Sequence, residues 1–181
     1  MGHSMIETFD TVILQFFQNI HNPVITPIFK AITFLGEAGL IWICLGLLLT
    51  IRKKTRIIGI TVLLSLIFCL IFGNGLLKHL VARPRPCWRN PDMEMLIAIP
   101  KDYSFPSGHT MSSFAAAFSV FVWKRSWGVG AVVLAAIMAV TRLYFYVHYP
   151  TDILAGCLFG ILLAFAAKYL VVRKMGKGEM A

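Results

Sequence analysis

The chain has 181 residues, 58% of them hydrophobic and 14% charged, and its mean hydropathy is positive, a balance that excludes an ordinary soluble domain and points to a membrane protein. Seventeen lysines and arginines against eight acidic residues give a formal charge of +9. Those cations sit between apolar runs rather than along one face, which argues against a nucleic-acid partner and for anionic lipid head groups as the counter-charge.

At the amino end, Ile6, Phe9, Ile13, Phe16, Phe17 and Ile20 recur at helical spacing, while Glu7, Asp10, Gln15 and Gln18 take the other side. The pattern predicts an amphipathic helix within residues 1–30, lying at the membrane interface or forming a short sixth span, and ended by Asn22 and Pro23. No basic region precedes it and no small-residue cleavage site follows it, so a removed signal peptide is not expected. Gly2, His3 and Ser4 are given no role. Five spanning helices follow, over about 32–51, 57–77, 108–123, 127–147 and 152–172, helical because unpaired backbone groups are too costly in lipid. Residues 57–77 carry no charge, and at about 1.5 Å per residue they reach roughly 31 Å, the thickness of the hydrocarbon core. Glu37 interrupts the first span; it is placed at a helix mouth and given no catalytic role. The expected fold is all-α, a polytopic transmembrane helix bundle of six helices in one membrane domain over 1–181, without internal repeats. Cys44, Cys69 and Cys157 fall in apolar runs and Cys87 in a polar loop, so neither a disulfide framework nor a zinc site is implied.

Basic clusters set the orientation. Arg52, Lys53, Lys54 and Arg56 join two spans, Lys124 and Arg125 join two others, and Arg173, Lys174 and Lys177 follow the last. Five spans place all three clusters on one side, cytoplasmic by the positive-inside rule. The opposite side receives the loop over 78–106 and the turn over 148–151. That loop is itself basic, with Lys78, Arg83, Arg85, Arg89 and Lys101, so its charges need another task.

Three polar islands stand on that opposite face: residues 78–86, 106–109 and 142–152. Between them they hold histidines, a lysine, arginines and one aspartate, an inventory for an anion; a metal site would want several carboxylates, and no cofactor is expected. In the middle island Ser107 is a good N-cap, Gly108 lets the backbone approach a ligand, and the helix start offers free N–H groups to a phosphate. His109 in the first turn is placed to donate a proton to a departing oxygen. In the third, Pro150 fits the first helical position, and Asp152, four residues after His148, can accept its N–H and leave the other ring nitrogen free to attack. Arg142 lies late in an apolar helix, where a cation's cost must be offset by a partner. Each island alone has a plainer explanation, as a capped helix start, a snorkelling arginine among Tyr144, Tyr146 and Tyr149, or flanking charge.

Taken together, the islands resemble the three-part signature of the type 2 phosphatidic acid phosphatase family. The matching positions are Lys78 with Arg85-Pro86, Pro106-Ser107-Gly108-His109, and Arg142, His148 and Asp152, with Thr141 where that family usually has serine. The resemblance covers about 57–172, the expected catalytic core. It implies a metal-independent phosphatase for a membrane lipid phosphate: phosphatidate, phosphatidylglycerophosphate or a polyprenyl diphosphate. By the same resemblance His148 is the nucleophile that forms a phosphohistidine, Asp152 orients it, and His109 serves as acid and then base. Lys78, Arg85, Ser107, Gly108 and Arg142 are implied to bind the phosphate, and the family spacing selects Arg85 over Arg83, which is left to contact head groups. A phosphotransferase would share every one of these residues, whereas a non-enzymatic lipid-binding protein would need neither His148 nor Asp152. The location implied is a bacterial cytoplasmic membrane with the site on the extracytoplasmic side.

Overall fold

The structure, a computed structural model, describes the backbone of residues 5–178 and the side chains of residues 5–174. Gly2, His3, Ser4 and the side chain of Lys177 lie outside the described residues. Among those described, all regular structure is helical: α1 (Met5–Asn19), α2 (Ile25–Leu35), α3 (Leu40–Ile51), α4 (Arg56–Phe68), α5 (Lys78–Val81), α6 (Pro86–Arg89), α7 (Gly108–Phe121), α8 (Arg125–Tyr144) and α9 (Pro150–Gly178). A π-helical stretch, Cys69–Leu77, joins α4 to α5.

Three of the described helices are each long and apolar enough to cross a membrane: the run from Arg56 to Arg89, α8, and α9 over Pro150–Lys174. α2 and α3 reach that length only together, bent by 48° at a break. The expected unbroken span over 32–51 therefore begins earlier and is broken. Gly36 and a 3₁₀ turn over Glu37–Gly39 end α2, and Ala38 (φ 51°) and Gly39 (φ 73°) stand in the left-handed region that closes a helix and redirects the chain. α7, at 14 residues, covers only about 21 Å. It runs inside the bundle, where Met111, Ala115, Ala116, Ala117 and Val120 are buried. Close approach explains its surroundings: a Cβ on Gly160 of α9 would stand 2.5 Å from the Met111 carbonyl oxygen, and one on Gly128 of α8 would stand 2.2 Å from the Phe121 Cα. Small residues at these crossings let backbone pack on backbone, the usual way helices associate in lipid. Trp42 of α3 is buried and pinned to α7 by Nε1 donating to the Ser113 hydroxyl (2.8 Å).

α1, expected to lie at the interface or to form a short sixth span, packs on the bundle by one edge, with Asp10 and Leu14 buried and Phe17 against the cluster of Tyr144, Phe145 and Val147. Its 15 residues extend about 22 Å, short of a bilayer core. Asp10 meets Thr151 at the start of α9, while Gln18 and His21 meet the Tyr144 carbonyl at the end of α8, so both halves of α1 rest on the same end of the bundle. The apolar residues Ile6, Phe9, Phe16 and Ile20 face outward, and Asp10 and Leu14 are buried. At the other end, Trp123 donates to the Thr61 hydroxyl of α4 and Lys168 of α9 donates to the Val122 carbonyl, which brings together the start of α4, the link from α7 to α8 and the end of α9, the segments that carry Arg56, Lys124, Arg125, Arg173 and Lys174.

Candidate active site

A cavity of about 1040 Å³ opens where the chain leaves α5, enters α7 and turns from α8 to α9. Lys78, Arg85, Gly108, His109, Arg142 and His148 line it, together with apolar walls from Phe34, Ile43, Leu63, Leu66, Ile67 and Leu70. Six of the eight residues singled out by the sequence thus face one volume. The other two, Ser107 and Asp152, are fully buried behind it.

Local backbone chemistry places each group. Ala82 in the left-handed region (φ 45°) closes α5, and Arg85 is held extended before Pro86, which opens α6. Ser107 caps α7 as expected, its oxygen accepting from the Thr110 N–H (3.4 Å) and meeting the Thr110 hydroxyl at 3.0 Å. Its own N–H donates to the Asp152 carbonyl (3.2 Å). The side chain expected to bind phosphate is therefore committed to the helix start, and Gly108 and His109 present that start to the cavity. His148 lies in the connection between α8 and α9, which Tyr146 (φ 57°) bends back so that the Val147 N–H donates to the Arg142 carbonyl (3.2 Å).

The cations differ in how fully they are partnered. Arg85 is buried and donates from Nε to the Asp102 carbonyl (2.7 Å), from Nη1 to the Val147 carbonyl (2.7 Å) and from Nη2 to Asp102 Oδ1 (2.7 Å). The other Asp102 oxygen pairs with Lys78. Although burial pushes the Asp102 carboxyl upward, the hydrogen bond and charge of Lys78 and then of Arg85 pull it down to about 2, so it is ionised at neutral pH. Arg142 is 4% exposed; Nη1 donates to the Thr33 hydroxyl of α2, and its Nε is the buried side-chain nitrogen left without a partner among the described residues. Unpaired buried donors are costly, and this one lies on a residue that lines the cavity.

His148 is 1% exposed. Its Nε2 lies 3.0 Å from Arg85 Nη1. A guanidinium can only donate, so Nε2 carries the lone pair and the ring proton sits on Nδ1. Burial pushes the imidazole down to about 3; Asp152 opposes, while Arg85 and Arg142 push further down. The ring is thus neutral at pH 7. The contact expected between His148 and Asp152 is indirect: Nδ1 to Oδ2 measures 3.6 Å, beyond a hydrogen bond. Ser104 stands between, its oxygen 3.4 Å from Nδ1 and its hydroxyl donating to Asp152 Oδ2 (2.5 Å).

Ser104, Asp102, Thr33 and Asp10 were not marked by the sequence reading. Asp102 and Ser104 fall in an aperiodic loop, where the one available signal was their position four and two residues, respectively, before Pro106 of the Pro-Ser-Gly-His island. Arg83, left to contact head groups, points inward: Nη1 donates to Asp152 Oδ1 (2.6 Å), Nη2 to Asp10 Oδ2 (2.6 Å), and its guanidinium covers the Tyr149 ring at 3.9 Å.

A helical membrane bundle that turns two histidines and four cations, Lys30, Lys78, Arg85 and Arg142, toward one apolar-walled cavity is suited to phosphoryl chemistry on a molecule with a hydrocarbon tail. Comparison with known proteins gives the same class: the chain belongs to the PAP2 superfamily, whose family model matches residues 54–175. It is an integral membrane phosphatase. It is similar to an undecaprenyl-diphosphatase of Sulfolobus acidocaldarius, 31% identical over 156 residues that make up 84% of this chain and 75% of the relative. Phosphatidylglycerophosphatase B of Bacillus subtilis is 28% identical over 169 residues, 82% of this chain and 76% of the relative. A solved structure, the transmembrane PAP2-type phosphatidylglycerolphosphate phosphatase from Bacillus subtilis, matches with a TM-score of 0.75 at 26% identity, covering 94% of this chain and 89% of that one.

Proposed function

We propose that the chain is a lipid phosphate phosphatase that hydrolyses a polyprenyl diphosphate through a phosphohistidine on His148, at the extracytoplasmic face of a bacterial cytoplasmic membrane. The observation that carries the reading is a buried, neutral imidazole in the cavity wall whose lone-pair nitrogen Nε2 stands beside Arg85. The Nε2 lone pair attacks the terminal phosphorus, the bond from phosphorus to the bridging oxygen breaks, and its electron pair leaves on that oxygen, which takes a proton from His109; burial lowers that imidazole's affinity for a proton, and the negative charge of the bound phosphate raises it again so that the ring enters the step protonated. Water then attacks the phosphohistidine, His109 takes its proton, and the P–N bond breaks to return the lone pair to Nε2. Lys78, Arg85, Arg142 and the Gly108 N–H stabilise the charge on the equatorial oxygens. A phosphate entering between Lys78 and Arg85 takes over donors now given to Asp102. The apolar walls receive the isoprenoid tail.

The polyprenyl diphosphate is favoured by the 31% identity to an undecaprenyl-diphosphatase. A second substrate, phosphatidylglycerophosphate, is favoured by the structural match to a phosphatase for that lipid. Purified protein with excess chelator is to be offered undecaprenyl diphosphate, phosphatidylglycerophosphate and phosphatidate, wild type beside His148→Ala. Phosphate release from the diphosphate, an acid-labile phosphoenzyme, and loss of both in His148→Ala are expected. Turnover that stops on chelation, or that survives in His148→Ala, refutes the mechanism. Phosphate passing to an added acceptor lipid instead of water would make the protein a phosphotransferase. The orientation is tested in intact cells: a tag in the loop over 90–100 is labelled from outside and one after Arg173 is protected, and the reverse pattern overturns it.

A further inference from the structure

We propose that Asp10, on the amino-terminal helix, is a positioning residue of the active site: through Arg83 it holds the Asp152 carboxylate in place behind His148. The inference rests on the roles given above to His148 and Asp152.

α1 is otherwise a helix that shows its apolar side to the surroundings, yet Asp10 is 1% exposed. A carboxylate so buried must be paired, and its partners all belong to the rear of the site. Oδ2 accepts from Arg83 Nη2 (2.6 Å) and the Thr151 hydroxyl (2.8 Å), and Oδ1 accepts from the Thr151 N–H (3.0 Å) and the same hydroxyl (3.0 Å). Arg83 gives its other terminal nitrogen to Asp152 Oδ1 (2.6 Å) and to the Thr151 hydroxyl (2.8 Å). A planar guanidinium with one nitrogen fixed on Asp10 has one orientation left for the other, so Asp10 decides where Arg83 meets Asp152. With Oδ1 held from that side, Oδ2 is turned to Ser104 and the Tyr149 N–H (2.9 Å), which leaves it facing His148 Nδ1.

Charge matters as much as direction. Asp10, Arg83 and Asp152 together carry one net negative charge. Positive charge grows on the imidazole as Nε2 bonds to phosphorus, and the residual negative charge of the triad is what stabilises it. An Asn at position 10 leaves Arg83 to Asp152 alone, which neutralises that carboxylate more completely when it is needed. Asp10 does not line the cavity, so the loss falls on the chemical step and not on substrate binding.

A plainer role is anchorage of α1 on the start of α9. Leu14, one turn further on and 2% exposed, separates the two: Leu14→Ala loosens the docking of α1 without removing a charge. Wild type, Asp10→Asn, Leu14→Ala, Asp152→Asn, the Asp10→Asn/Asp152→Asn double variant and His148→Ala are assayed in detergent with undecaprenyl diphosphate and phosphatidylglycerophosphate. Steady-state rates, phosphoenzyme formation and thermal stability are read for each. Asp10→Asn is expected to lower kcat and the rate of phosphoenzyme formation about 10- to 100-fold, as loss of an outer partner of a catalytic group does, while KM moves less than about twofold. The double variant is expected to be no slower than Asp152→Asn alone, since one route is removed twice. Leu14→Ala is expected to melt earlier yet keep kcat within about threefold of wild type. The proposal is overturned if Asp10→Asn turns over like wild type, if its effect adds to that of Asp152→Asn, if it does not yield folded monodisperse protein, or if Leu14→Ala reproduces its loss of kcat. An active His148→Ala would instead sink the underlying mechanism.

Discussion

Replacing Ser104 by alanine tests the indirect link between the two residues on which the chemistry turns. Ser104 is fully buried, donates to Asp152 Oδ2 at 2.5 Å and lies 3.4 Å from His148 Nδ1, whereas the direct separation of Nδ1 and Oδ2 is 3.6 Å. Without the hydroxyl, Asp152 Oδ2 keeps only the Tyr149 N–H (2.9 Å), and the Nδ1 proton has no acceptor at hydrogen-bond distance. A hydrogen bond to a charged group contributes about 1.5–3 kcal/mol, which at about 1.36 kcal/mol per tenfold corresponds to about 10- to 150-fold in rate. The expected result is a kcat lower by that factor with KM little changed, read by phosphate release and by trapping of the phosphoenzyme. Ser104→Cys, which keeps a weaker donor, should fall between alanine and wild type. A Ser104→Ala enzyme within about twofold of wild-type kcat would refute the reasoning, because it would mean that Asp152 orients the imidazole without the serine.

Arg142→Gln removes the buried Nε that lacks a protein partner; kcat/KM should fall at least about tenfold, and Arg142→Lys should not restore it, because an ammonium cannot reproduce the guanidinium fork. Isothermal titration of inactive His148→Ala with inorganic phosphate should show weaker binding when Arg142→Gln is added, and unchanged binding would contradict the assignment. His148 also predicts a pH dependence of stability. Its folded value of about 3 lies below the ordinary 6.5, so between those pH values the unfolded chain holds a proton that the folded chain does not. Stability from this group is complete above about pH 6.5 and falls as pH drops toward 3. The melting temperature of His148→Asn in detergent should therefore fall less steeply over that window than that of wild type, and parallel curves would show that the imidazole is not held neutral.

Three of the five expected spans, those over 57–77, 127–147 and 152–172, were legible because lipid demands long apolar runs, while 32–51 is broken and 108–123 holds a helix of 14 residues; the cavity cations were legible because an arginine or lysine at the end of such a run calls for a reason. What stayed hidden has physical causes. Gly36 and Gly39 flank only two residues, so hydropathy carries straight across the break that lets α2 bring Thr33 to Arg142. The π-helical stretch of Cys69–Leu77 changes hydrogen-bond register without changing composition. Asp10 was read on the polar side of an amphipathic helix, which is where it lies. Periodicity tells which residues share a face, but it does not tell whether that face meets water or a buried arginine.

The three arginines of the site make one argument about division of labour. Burying a guanidinium in a membrane protein is tolerable only where its charge is met. Arg83 has its charge met by two aspartates, so little of it is left for a ligand and its effect must pass through Asp152. Arg142 has one hydroxyl and, among the described residues, an unpartnered Nε, which is the donor that the proposed mechanism gives to a phosphate oxygen. Arg85 stands between, matched by an ionised Asp102 whose side chain is 53% exposed and can therefore yield its place at low cost. In the mechanism proposed above, the committed arginine shapes the nucleophile, the incomplete one draws the substrate, and Arg85, which donates both to His148 and to Asp102, is the one that would exchange a carboxylate for the phosphate.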